Sequence, residues 1–182
     1  MTEALPVLAR LERWLAAHRP DYLAGLNGGA MEDAVAALPP GLAALYRWHD
    51  GQSSSSDAFL GRHWLMPLSQ MHAQCKDIAK ARDEDGWDDA WWSDHWWPFL
   101  DDGQGNLTCV DAKSGRVLLY FSDSDERNDL APSLDVFLGA LCDALEAGLF
   151  RVDGEGHAVV TDEGAMNALL RARGVCFDRF GY

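Results

Sequence analysis

The sequence is poor in positive charge. Its 182 residues include only 15 lysines and arginines against 29 aspartates and glutamates, so the formal net charge is −14 and the pI is about 4.6. Binding to nucleic-acid phosphates or to anionic membrane surfaces depends on clustered basic side chains. The composition therefore argues against both, and neither a nucleic acid nor a membrane is expected as a partner.

The sequence also lacks long hydrophobic runs and closely spaced cysteines. No apolar stretch approaches the ~20 residues that cross a bilayer, and the charged residues among the first 19 positions do not fit a secretory signal. We therefore expect a cytoplasmic protein. No Cys-x-x-Cys pair occurs, so we predict reduced thiols packed as small apolar side chains at Cys75, Cys109, Cys142 and Cys176.

Sequence patterns of catalysis and metal binding are missing as well. None of the six histidines belongs to a His-Glu-x-x-His or His-x-His motif, and the chain contains neither a Gly-x-Ser-x-Gly elbow nor a Gly-x-x-x-x-Gly-Lys loop. The acidic stretch that begins at Asp123 has Asn128 and Leu134 where a calcium loop needs glycine and glutamate. We expect a protein without enzymatic activity, cofactor or metal ion.

The apolar residues are numerous enough for one folded domain, since hydrophobic residues make up 48% of the chain. Three-to-four spacing of apolar residues predicts helices, and short apolar runs between turn residues predict strands. Gly51 is expected to end a helix with a positive φ, and Ser133 to cap another. The predicted helices span about 7–18, 31–38, 40–48, 68–82, 134–147 and 163–173, and the predicted strands 59–60, 63–66, 106–111, 116–121, 149–152 and 157–161, with an edge strand beginning at Trp97 and Pro98. Helices followed by a meander of strands and further helices indicate an α+β fold.

A series of short motifs runs through the middle of the chain. They are LP at 38–39, LYRWHDG at 45–51, WWPFLDDGQGN at 96–106, VD at 110–111, GRV at 115–117, APSL at 131–134 and FL at 137–138. Their order and spacing resemble those of the SUKH superfamily, the Smi/Knr-type cell-wall-regulator-like proteins, over about residues 35–146. The resemblance implies a single α+β domain over 1–148, with a mixed or antiparallel sheet of about four to six strands flanked by helices. It also implies no enzymatic activity and, among bacterial members, immunity against a cognate toxin. Residues 149–182 are expected to form a hairpin and a helix packed on the same domain.

Negative charge and tryptophan are concentrated in one stretch. Residues 83–102 include eight acidic residues, no basic residue, and five of the chain's eight tryptophans. Residues 83–129 carry thirteen acidic and three basic residues, a net charge of −10. An acidic surface accelerates encounter with a basic partner, and tryptophan is enriched at binding hot spots. The candidate partner-binding residues are therefore Asp83, Glu84, Asp85, Asp88, Asp89, Trp91, Trp92, Asp94, Asp101, Asp102, Asp123, Asp125 and Glu126.

Two interpretations of this stretch stay open. The acids form either a binding surface or a solvated face, and the tryptophans either contact a partner or belong to the core; strand alternation favours burial of Trp96 or Trp97. The binding interpretation predicts a monomeric immunity protein that covers a basic face of a toxin, such as a nuclease. The alternatives are a regulatory scaffold with an endogenous partner and an acidic hydrolase with His95 beside Asp94 as general base.

Overall fold

Helices and strands together account for most of the chain that the structure describes. The computed structural model describes residues 6–53, 57–86, 91–124 and 126–176. The helices are α1 (Pro6–His18), α2 (Pro20–Ala24), α3 (Glu32–Val35), α4 (Pro40–Trp48), α5 (Leu68–Asp85), α6 (Leu134–Glu146) and α7 (Glu163–Ala172). The strands are β1 (Trp64–Leu65), β2 (Trp96–Asp101), β3 (Leu107–Asp111), β4 (Val117–Tyr120), β5 (Arg127–Ala131), β6 (Phe150–Val152) and β7 (Ala158–Val160). The predicted α+β class is confirmed.

Five strands form one antiparallel sheet in the order β1-β2-β3-β4-β5, and β6 pairs with β7 in a separate hairpin. The strands predicted at 106–111 and 116–121 are confirmed as β3 and β4, which pair antiparallel with Thr108 opposite Leu119. The prediction that Trp97 and Pro98 begin an edge strand is wrong, because β2 lies between β1 and β3. The short β1 pairs with the end of β2, and β5, which the sequence did not predict, forms the opposite edge of the sheet.

Both faces of the five-stranded sheet are covered. In β4, Val117 and Leu119 belong to a larger core shared with α1, α4 and α6, whereas Leu118 and Tyr120 belong to a smaller core. Helix α5 supplies Ile78 to the smaller core. Burial on both faces explains why consecutive residues of β4 are apolar, as predicted for a covered strand.

The helices of the larger core follow the predicted apolar stripes. All five apolar residues of the α1 stripe from Val7 to Leu15 are buried, but His18 is exposed and its ring stacks on Trp14 with centroids 4.6 Å apart. Ser133 caps α6 as predicted, because its Oγ accepts a hydrogen bond from the backbone N–H of Val136 at 3.2 Å. Across the described residues, every helix is too short or too polar to span a membrane.

The residues after α6 are joined to the rest of the chain by core packing and by ion pairs. Ala158 of β7 and Met166 of α7 are both 1% exposed and belong to the larger core. At the surface, guanidinium nitrogens of Arg10 on α1 and of Arg173 after α7 each lie 2.6 Å from a carboxylate oxygen of Asp143 on α6. The β6–β7 hairpin and α7 therefore share the core to which α1 and α6 also contribute.

The four cysteines are free thiols whose exposure predicts their reactivity. Cys176 is exposed, whereas burial raises the pKa of Cys75 and Cys142 to about 11 and the pKa of Cys109 well above its usual range. Because the thiolate is the nucleophile, we expect Ellman's reagent at pH 8 to modify one thiol rapidly in the folded protein and all four in denaturant. A Cys176→Ser variant is expected to lose the rapid phase, and persistence of that phase would contradict this order of reactivity.

Candidate partner-binding surface

The structure places the turn between β2 and β3 beside the loop between β4 and β5. In an antiparallel meander the chain reverses direction at each turn, so every second connection lies at the same end of the sheet. The two segments contact each other there, since the backbone N–H of Ser122 donates to Asn106 Oδ1 at 3.2 Å. Four of the residues predicted to bind a partner lie at this end of the sheet: Asp101, Asp102, Asp123 and Glu126.

The two aspartates of the β2–β3 turn hold its backbone. Asp102 Oδ1 accepts hydrogen bonds from the backbone N–H groups of Gln104 at 2.8 Å and Asn106 at 3.1 Å. Asp101 Oδ1 accepts one from the N–H of Gly103 at 2.7 Å. Both aspartates are half-buried, whereas Asp123 and Glu126, in the neighbouring loop, are exposed. The turn aspartates therefore act first on local structure, and the loop acids present more of their carboxylates to solvent.

A second group of predicted residues surrounds the end of α5. Arg82 Nη1 donates to Asp94 Oδ1 at 3.0 Å, and Arg82 Nη2 lies 2.9 Å from Asp83 Oδ1. Hydrogen bonds to Asp83 and Asp94 raise the pKa of the Arg82 guanidinium above its usual value. The same guanidinium contacts the carbonyl oxygen of Trp92 at 3.5 Å. The exposed acids of this group are Asp83, Glu84, Asp85 and Asp94.

Arg127 links the two groups, and the sequence patterns did not predict this role. Its Nη1 donates to the carbonyl oxygens of Ser124 at 2.7 Å and Glu126 at 2.6 Å, and its Nη2 donates to that of Trp91. The adjacent carbonyl groups of Trp91 and Trp92 are thus held by arginines from the β5 side and the α5 side. We name the two groups together the acidic surface: Asp83, Glu84, Asp85, Asp94, Asp101, Asp102, Asp123 and Glu126.

Trp92 is a core residue, which corrects its prediction as a contact residue. It is 1% exposed and packs edge-on against Tyr120 and Trp96, with ring centroids 5.3 and 5.8 Å apart. Its indole fills the smaller core and offers no contact area to a partner. Trp91, Trp96 and Trp97 are half-buried; Trp96 packs on the smaller core and Trp97 on the larger. The predicted residues Asp88, Asp89 and Asp125 lie outside the described residues.

A cavity of about 280 Å³ opens between α5 and the start of β2. Its lining consists of His72, Cys75, Lys76, Trp92, Asp94, Trp96 and Trp97. The imidazole of His72 lies edge-on to the indole of Trp97, with centroids 6.0 Å apart. Burial raises the pKa of the Cys75 thiol to about 11, so this thiol stays protonated near neutral pH. Within the described ranges, His, Cys, Asp and Glu side chains do not gather in threes in a way that could hold a metal ion.

Comparison with protein-family models matches residues 32–140 to a family described as SMI1 / KNR4 family (SUKH-1). The matched segment begins at α3, contains the whole five-stranded sheet and ends inside α6. It includes the acidic surface and excludes the β6–β7 hairpin and α7. A search of curated proteins returned no match to the chain.

Proposed function

Because the chain belongs to the SMI1/KNR4 family (SUKH-1), we propose that it is a non-enzymatic immunity protein that binds and neutralises a cognate bacterial toxin. The acidic surface is the proposed contact. The observation that carries this assignment is the pair of arginine contacts to consecutive carbonyl groups, those of Trp91 and Trp92. Through them, carboxylates from α5 and from the β4–β5 loop are held near one short segment.

Charge repulsion supports a basic partner for this surface. Like charges held close together destabilise the folded state, and an oppositely charged partner relieves that repulsion on binding. Six of the eight acids of the acidic surface are exposed. Asp83 and Asp94 pair with Arg82, and Glu84 pairs with Lys80. Exposed ion pairs of this kind are weak, so a basic group of a docked protein can replace the paired cation. A toxin that attracts phosphate, such as a nuclease, has a basic active face, and occlusion of that face would neutralise it without any chemical step.

An immunity role predicts that a neighbouring gene encodes a toxin domain, and the test expresses that domain in a bacterial host. We expect the domain alone to stop growth and co-expression of the chain to restore it. With purified proteins, toxin activity should fall linearly and reach zero at one chain per toxin, since a binding inhibitor acts stoichiometrically. Inhibition by far less than one equivalent would indicate an enzyme, and absence of both protection and complex formation would contradict the proposal.

Neutralising three acids is expected to slow association with that toxin domain by about 5- to 10-fold at low salt. The variant carries Asp85→Asn, Asp94→Asn and Asp123→Asn, and its dissociation rate should change by about 2-fold or less, because steering acts on the encounter. Stopped-flow measurements from low to high salt provide the two rates. The difference from the unmodified chain should vanish at high salt, where charges are screened.

A control variant removes the same charge elsewhere, through Asp21→Asn, Asp33→Asn and Asp135→Asn. These residues lie in the first turns of α2, α3 and α6. If net charge alone sets the association rate, both triple variants will slow it equally. That result would contradict the assignment of the acidic surface as the contact.

A further inference from the structure

A cavity of about 510 Å³ lies between the segment that precedes β1 and the β6–β7 hairpin. Its lining residues come from two parts of the chain. Asp57, Ala58, Gly61, Arg62 and Trp64 form one wall, and His157, Val159, Val160 and Glu163 form the other. The first wall belongs to the family-matched segment, and the second lies outside it. The cavity therefore exists only because the C-terminal hairpin packs on the family domain.

Buried polar contacts fix the first wall in place. Arg19, which is 4% exposed, donates from Nη1 to the carbonyl oxygens of Ala58 at 3.1 Å and Phe59 at 2.6 Å. The two walls are joined directly, since the N–H of Gly61 donates to the carbonyl oxygen of Ala158 at 3.1 Å. A cavity with fixed walls binds a side chain at a smaller entropic cost than a mobile surface does.

The lining combines apolar surface with negative charge. Val159, Val160 and the indole of Trp64 provide apolar area, and Asp57 and Glu163 are exposed acids of the lining. Two further carboxylates, those of Asp153 and Glu155, lie 3.4 and 3.7 Å from Nδ1 of His157, whose Nε2 is 3.7 Å from Asp57 Oδ1. Against these four acids stand the guanidinium groups of Arg62 in the lining and of Arg19 behind the wall, together with the imidazole of His157. The acids outnumber the basic groups by four to three even when His157 is counted as a cation.

We propose that this cavity is a docking pocket for an arginine side chain of the protein partner. The aliphatic stem of an arginine matches the valine surface, its planar guanidinium stacks on an indole, and its charge matches the surrounding carboxylates. That the partner is a protein rests on the proposed function. The expected affinity of the pocket for an arginine side chain rests only on its lining residues.

The pocket adjoins the acidic surface. A Cβ atom on Gly103, in the β2–β3 turn beside Asp101 and Asp102, would lie 3.3 Å from Cζ3 of Trp64. One partner can therefore contact the acidic surface and place an arginine in the pocket. Because four of the nine lining residues lie outside the family-matched segment, the family match alone does not imply this pocket.

The test is an NMR titration of the whole chain with N-acetyl-arginine amide, and with N-acetyl-citrulline amide as the uncharged match. We expect the arginine compound to shift the indole N–H of Trp64 and the methyl groups of Val159 and Val160 saturably, and the citrulline compound to bind at least about 5-fold more weakly. Asp57→Asn with Glu163→Gln should weaken binding about 2- to 5-fold per charge, and Arg62→Ala should strengthen it about 2-fold.

The control variant Glu12→Gln with Asp33→Asn also removes two negative charges, but from α1 and α3, whose residues do not line the cavity. It should leave the titration unchanged. Equal binding of both amides, equal weakening by both double variants, or no shift at these three residues would overturn the pocket. Failure of the chain to protect a host while the amide still binds would overturn the proposed function alone. Protection without amide binding would overturn the pocket alone.

Discussion

Replacing Gly51 with alanine is expected to lower the free energy of unfolding by about 3–5 kcal/mol. Gly51 has a φ of +68°, a left-handed conformation that costs an L-residue about 1–2 kcal/mol. An added Cβ would also lie 2.4 Å from the backbone nitrogen of Pro67 and 2.5 Å from the carbonyl carbon of Met66. Backbone atoms cannot rotate away as a side chain can, so the connection from β1 to α5 would have to shift. Urea unfolding followed by tryptophan fluorescence measures the loss.

Gly115 provides the matched control for this substitution. It has a φ of +76°, and its added Cβ would meet no heavy atom within 4 Å. Gly115→Ala therefore carries the conformational cost alone, and we expect a loss of about 1–2 kcal/mol. The difference between the two variants measures the close approach at Gly51. Equal losses would contradict the idea that packing against Met66 and Pro67 requires glycine there.

Gly51 also separates what local sequence predicts from what it does not. Its positive φ was predicted correctly, but as the end of a helix. The structure ends α4 at Trp48 and gives His49 an extended backbone, so Gly51 lies beyond the helix cap. The contact with Met66 and Pro67 joins segments about fifteen residues apart. A glycine in the sequence indicates that the backbone adopts a positive φ at that position. Which backbone atoms approach it closely is determined by tertiary packing, which the local sequence does not show.

The strands show the same limit. Continuous apolar residues predicted β4, because a strand covered on both faces leaves that pattern. Strand β5 was missed because its residues are Arg-Asn-Asp-Leu-Ala, a composition that is depleted in strands and that an edge position tolerates. The sequence prediction of an edge strand fell on β2, which the structure places between β1 and β3.

The sequence predicts the negative charge of the candidate site but not the arginine contacts that hold the site together. Counting acids identified the stretch, since net charge is a property of composition. The arginines that organise it left little signal: Arg127 is the only basic residue between positions 117 and 150, yet its Trp91 contact spans 36 residues of sequence. Likewise, Trp91 and Trp92 look equivalent in the sequence, and only packing distinguishes the half-buried residue from the buried one.

Replacing Trp92 with alanine is expected to lower the free energy of unfolding by about 3–5 kcal/mol. The indole is 1% exposed and is surrounded in the smaller core by apolar residues that include Met66 and Ile78. Its removal leaves a cavity between α5 and the sheet, because strands that are hydrogen-bonded to their neighbours cannot move in to fill the space. The edge-on contacts with Tyr120 and Trp96 are lost as well. Thermal and urea unfolding measure the effect.

Trp91→Ala is the control, since that side chain is half-buried and its ring centre lies 5.9 Å from the guanidinium carbon of Arg127. A contact of this kind contributes about 0.5–1 kcal/mol at an exposed site, so we expect a loss near 1 kcal/mol. Toxin binding is then measured under conditions in which each variant is still folded. It shows whether the indoles of Trp91 and Trp92 contact the toxin or only pack within the protein. Unchanged affinity in Trp92→Ala is expected, because a side chain in the core contacts no partner. Weakened binding with full stability in that variant would return Trp92 to the contact surface and contradict its place in the core.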